Sequence, residues 1–118
     1  MITRDEILEY VKTAYGISPD YPWEKYPNYV ALRHQGNHKW FGLIVDITAD
    51  KIGLDCDKVI DVMNVKVEKE LIGALRRKKG VYEAYHMNKA NWVTLNLEEL
   101  ASFDELIEFI ESSYDLTS

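Results

Sequence analysis

Two alternating stretches stand back to back in this chain with no helical pattern between them. Residues 29–34, YVALRH, alternate, 35–37, QGN, form a turn, and 38–47, HKWFGLIVDI, alternate again. Period-two runs joined by so short a polar link specify a β-hairpin, Tyr29–His34 against His38–Ile47. A looser connection, TADKIGLDCD, leads to a third run, VIDVMNVKV, with Val59, Asp61, Met63, Val65 and Val67 on one face. Its valines and isoleucines suit a pleated surface. The three runs most simply form an antiparallel meander.

Helical signals bracket this block. Thr3 and Glu6 have the spacing of a capping box, Ile7, Leu8, Val11, Ala14 and Tyr15 follow at helical spacing, and Gly16 supplies a stop. Ser102 and Glu105 repeat the box ahead of Leu106, Ile107, Phe109, Ile110 and Tyr114. A middle helix is predicted over EKELIGALRRKKG, with Leu71, Ile72 and Leu75 buried and Arg76–Lys79 complementing the dipole of its last turn. VYEAYHM and WVTLNL read as two more strands around an MNKAN turn. Strands in consecutive runs with helices at both ends predict an α+β fold, an antiparallel sheet packed against N- and C-terminal helices. A length of 118 residues fits a single domain over 1–118.

Several functional classes are disfavoured. No apolar run approaches the roughly 18 residues needed to span a bilayer, and the charged N-terminus MITRDEILEY is not a signal peptide. The single cysteine, Cys56, cannot form an intrachain disulfide and sits among acids that do not favour a thiolate. A cytoplasmic monomer is the expectation. His34, His38 and His86 lack carboxylates or cysteines at ligand spacing, and neither GxSxG nor GxGxxG occurs. No catalytic residue, metal or cofactor is therefore expected, and the chain reads as a non-enzyme.

Charge and aromatic residues carry what remains. The net charge is −6, yet residues 66–89 hold seven basic against three acidic side chains, and residues 90–118 hold seven acidic and no basic ones. Lys66, Arg76, Arg77, Lys78, Lys79 and Lys89, with Asn91, are candidates for gripping the phosphates of double-stranded DNA. The other candidate is a pocket for a protein or small ligand. It would draw Tyr21, Trp23 and Tyr26 from the three-proline loop SPDYPWEKYPN, with Trp40, and with His86, Asn88 and Trp92 from the YHMNKANW segment.

That segment also carries a resemblance. Tyr85-His-Met-Asn-Lys89, two residues, then Trp92 is similar to the signature of the MmcQ/YjbR family. DYPW at 20–23, KWFGLI at 39–44, VMNVKV at 62–67 and SSYDL at 112–116 extend the similarity along nearly the whole chain. Val67-Glu68-Lys69 departs from the helix-opening cap often seen there, and Asn91 stands where a histidine is common. The resemblance implies a CyaY-like α+β sandwich and DNA binding through two wing-like elements.

Overall fold

Helix α1 (Arg4–Tyr15) starts where the Thr3 side chain accepts from Glu6 N–H and the Glu6 carboxylate accepts from Thr3 N–H, and it stops at Gly16 in the left-handed region. The computed structural model describes residues 1–118. Strands β1 (Val30–Arg33), β2 (Trp40–Thr48) and β3 (Val59–Lys66) follow, and β4 (Val81–Glu83) and β5 (Trp92–Asn96) come after a short helical region. Helix α3 (Phe103–Thr117) closes the chain, with Ser102 Oγ accepting from Glu105 N–H. The sheet runs in the order β1-β2-β3-β5-β4, and all neighbours are antiparallel. The α+β class and the three-strand meander hold.

The predicted middle helix does not. Residues 68–80 form one 3-10 turn (Lys69–Leu71) and a single α turn, α2 (Ile72–Leu75). Leu71 is exposed, Ile72 and Leu75 are half-buried, and Arg76–Lys79 follow in turns rather than in a helix. No side chain caps either piece, Gly73 sits in the middle, and too little apolar surface is buried to support so short a helix. The strand expected over VYEAYHM likewise ends at Glu83. There the ladder gives way to side chains: Tyr85 N–H donates to Thr94 Oγ1 (2.8 Å), and Asn64 Nδ2 donates to Tyr85 O (3.0 Å).

Both helices cover one face of the sheet. Ile7 and Val11 of α1 and Leu106, Phe109 and Ile110 of α3 pack on Leu32, Ile44, Met63, Val65, Val93 and Leu95. Of the five residues expected on one face of β3, Met63, Val65 and Val67 join this core; Asp61 is half-buried and Val59 exposed. The opposite face carries a smaller cluster, Val45, Ile47, Ala49, Ile60 and Val62, flanked by Tyr29, Ile52, Leu54 and Tyr85. The two terminal helices leave that second face to loops and a 3-10 turn, Ala49–Ile52.

Two devices shape that face. The first is a bulge at the start of β2: Leu32 opposes Gly42 but Arg33 opposes Trp40, so Phe41 is an extra residue. A bulge re-aims side chains. Phe41 turns into the helix-side core, fully buried, while Trp40 lies on the loop side. Ser113 of α3 closes the gap, its hydroxyl donating to Phe41 O (2.6 Å) and accepting from Lys66 N–H (2.9 Å). The second device ties the aromatic loop down. Arg4 makes a two-pronged contact with Asp61 (3.0 and 2.8 Å) and donates to Asn28 O (2.6 Å), and Asn28 donates to Asp46 (3.1 Å). Asp46 and Asp61 are opposed across β2 and β3, a like-charge pairing that the guanidinium offsets. The hydrogen bonds to Asp61, more than burial opposes, raise the Arg4 pKa above its ordinary value.

Candidate functional site

On the loop-covered face lies a cavity of about 260 Å³. Trp23 and Tyr26 of the proline loop line it, with Tyr29 just before β1, Trp40, Leu43 and Val45 of β2, Asn64 of β3, and Tyr85, His86 and Met87 after β4. The loop is held beside β1 by a two-bond bridge, Asp20 N–H to Ala31 O (3.0 Å) and Ala31 N–H to Asp20 O (2.8 Å), and by an Arg33–Asp20 ion pair at 3.1 Å. The bridge occupies the free edge of β1 that would otherwise invite another strand.

The rings brace one another. Trp23 meets Trp40 at 5.5 Å and Tyr29 at 6.1 Å, both edge-on, and Tyr26 stacks on Tyr29 at 4.7 Å. The Arg33 guanidinium lies 5.8 Å from the Trp40 ring centre, within cation–π range. Burial, more than the neighbouring Tyr85 and Asp46, raises the Tyr29 phenol above its ordinary value, so this wall stays neutral. Tyr85 and His86 stack at 4.0 Å. His86 has φ 56°, in the left-handed region, which costs a residue with a Cβ about 1–2 kcal/mol. The conformation presents the imidazole, which is exposed, at the rim of the cavity.

Asn64 is the polar group at the base, nearly fully buried. Its side-chain oxygen accepts from Thr94 Oγ1, and its amide donates to Tyr85 O (3.0 Å). Asn64, Thr94 and Tyr85 thus form a closed triangle. It pins the first turn of the HMNK segment to the centre of the sheet.

Of the residues expected to form a ligand pocket, the structure brings Trp23, Trp40 and His86 together with Tyr26. Tyr21 is exposed outside the cavity, and Asn88 shapes the turn, its side chain accepting from Ala90 N–H (2.9 Å) and its carbonyl from Asn91 and Trp92 N–H. Trp92, also expected in the pocket, lies outside the cavity and is half-buried. It lines a second cleft, of about 270 Å³, with His38, Lys39, Trp40, Lys66 and Thr117. The sequence reading did not name Tyr29, Leu43, Val45, Asn64, Tyr85 and Met87 as pocket walls. Tyr29, Leu43 and Val45 read as ordinary alternating strand residues.

The basic candidates make different contacts. Arg76 and Lys89 both approach Glu83, at 3.6 and 4.0 Å, and Lys89 also donates to Ala84 O (3.0 Å). Lys78 lies 3.9 Å from Glu105 and over the Phe109 ring. Lys66 lines the second cleft and forms no ion pair. Arg77 and Lys79 are exposed and form no ion pair. Asn91 is half-buried, its carbonyl accepting from Val67 N–H (2.8 Å).

A family model described as YjbR matches residues 12–116, nearly the whole span just described. The chain belongs to the YjbR family. A relative, the uncharacterized protein YyaQ of Bacillus subtilis, is 45% identical over 117 residues, 99% of each chain. A crystal structure of a Pseudomonas syringae protein is 44% identical and superposes with TM-score 0.97 over 99% of this chain and 100% of that one. A Deinococcus radiodurans protein, 21% identical, shares the fold with TM-score 0.72 over 98% of this chain and 78% of its own. The YjbR architecture is therefore the frame that carries both clefts. No helix of the chain is long and apolar enough to cross a membrane.

Proposed function

We propose that this YjbR-family chain is a non-enzymatic binding module whose site is the aromatic cavity on the loop-covered face of the sheet. The observation that carries this reading is the convergence of five aromatic rings, Trp23, Tyr26, Tyr29, Trp40 and Tyr85, from three separate segments around a buried asparagine. A concave apolar wall with a few fixed polar groups is how proteins hold small ligands. At about 260 Å³ the cavity falls just below the roughly 300–1,000 Å³ of drug-sized sites, so it suits one planar ring system. Titrating ¹⁵N-labelled protein with a neutral aromatic, benzyl alcohol, should shift the indole N–H signals of Trp23 and Trp40 and the His86 amide. A Trp23→Ala variant should lose the response. Uniformly unmoved signals at saturating benzyl alcohol would refute the site.

A second reading, duplex DNA binding, is favoured by one observation: Lys66, Arg77 and Lys79 carry no ion-paired carboxylate. Three phosphates neutralised would make log affinity fall with log salt at a slope of about −3. Fluorescence anisotropy of labelled duplex at two salt concentrations measures that slope, and Lys66→Ala should reduce it by about 1. Absence of binding at low salt and high protein concentration sinks this reading while leaving the cavity reading intact.

A further inference from the structure

The aromatic cavity and the second cleft share a wall, and that wall is Trp40. The two differ in chemistry. The cavity is almost wholly apolar, and its Asn64 is engaged in the Thr94–Tyr85 triangle. The cleft offers two lysines, Lys39 and Lys66, no carboxylate among its lining residues, and no ion pair to either ammonium. The backbone adds a separate observation. Two residues other than glycine have positive φ, His38 at 60° and His86 at 56°. One lines the cleft and the other the cavity. Residues held in such conformations concentrate at ligand sites.

We propose that cavity and cleft are two halves of one site for an aromatic anion, with the planar ring held among Trp23, Trp40 and Tyr29 and the anionic group against Lys39 and Lys66. The inference rests on the cavity being a binding site and adds the class of ligand. Unpaired lysines beside an apolar wall recognise a carboxylate or a phosphate equally as charge. An aryl carboxylate and a nucleoside monophosphate share the required chemistry, a flat ring and one anionic group a few bonds away. Trp40 joins the two halves: it lines both, and Lys39, the residue before β2, sets a cation next to it in the cleft.

The three tryptophans of the chain, Trp23, Trp40 and Trp92, all line one half or the other, so intrinsic emission reports on this site and little else. The test titrates full-length protein at low salt with two matched pairs, phenylacetate against phenylacetamide and adenosine 5′-monophosphate against adenosine. In at least one pair the anion should bind about tenfold tighter than its neutral partner, as two partly exposed charge contacts allow, and the advantage should collapse at about 0.5 M salt. The Lys39→Gln/Lys66→Gln double variant should bring the anion to the level of the neutral compound and leave the neutral compound unchanged. Lys12→Gln, on α1 and lining neither half, is the control for net charge. Which pair shows the preference separates an aryl carboxylate from a nucleotide. Equal binding of anion and neutral partner, or a preference that survives in the double variant, overturns the joined site but spares the cavity. If no compound of either pair binds, both readings fall.

Discussion

Phe41→Ala should lower the unfolding free energy by about 3–5 kcal/mol, the range for truncating a fully buried aromatic residue. Phe41 is inaccessible to solvent and sits edge-on to Tyr15 (5.9 Å) and Tyr114 (5.0 Å), with the His34 ring at 5.2 Å. Its neighbours have little room to collapse. Tyr15 and Tyr114 are already stacked on each other at 4.0 Å, and His34 is held by Thr117 Oγ1 at 2.8 Å. A loss of that size is a large part of the roughly 5–15 kcal/mol that holds a domain together. Urea denaturation checks it: the midpoint should fall with little change in slope. Phe41→Leu keeps most of the volume and should recover much of the loss. A cost below about 1 kcal/mol for the alanine variant would mean that the bulge at Phe41 is not anchored in the core.

Thr94→Val should cost about 2–4 kcal/mol although it keeps the shape of the side chain and removes a polar group from a fully buried site. The hydroxyl accepts from Tyr85 N–H and donates to the Asn64 side-chain oxygen. Valine would strand both partners, and an unpaired buried polar group loses its full desolvation cost. Thr94→Ser, which keeps the hydroxyl and drops one methyl, should cost only about 1 kcal/mol. Serine above valine in stability is therefore the signature of the triangle, since packing alone would rank them the other way. The same variant reaches the site. Without Thr94 the Tyr85–His86 stack loses its anchor to β5, so the response of the His86 amide to an aromatic ligand should fade in Thr94→Val and persist in Thr94→Ser.

The parts of the molecule legible in the sequence were those set by short-range geometry. The caps at Thr3 and Ser102, the stop at Gly16 and the hairpin through residues 35–37 depend on hydrogen bonds and dihedral preferences within a few residues. The middle helix was misread because its pattern was local but its support is not: Leu71, Ile72 and Leu75 have the right spacing, yet Leu71 is exposed and Ile72 and Leu75 reach the core only in part. Strand alternation shows that two faces exist, but not which one the helices take. On β3 both faces are apolar, so Met63 and Val62 look alike in the sequence and belong to different clusters.

The amino-acid sequence by itself determined the α+β class, the antiparallel meander, the two terminal helices and membership of the YjbR family through the HMNK segment and its Trp92. Only the tertiary structure decided that β5 lies between β3 and β4, that the bulge sends Phe41 inward and leaves Trp40 beside the loop, and that Asn64, thirty residues before Thr94, meets it under the cavity floor. It also turned Arg76 and Lys89 to Glu83 and set Lys66 and Lys39 in one cleft. The physical reason is the same throughout. Caps and turns are satisfied by neighbours along the chain, whereas a pocket is satisfied by groups that meet only once the sheet has closed.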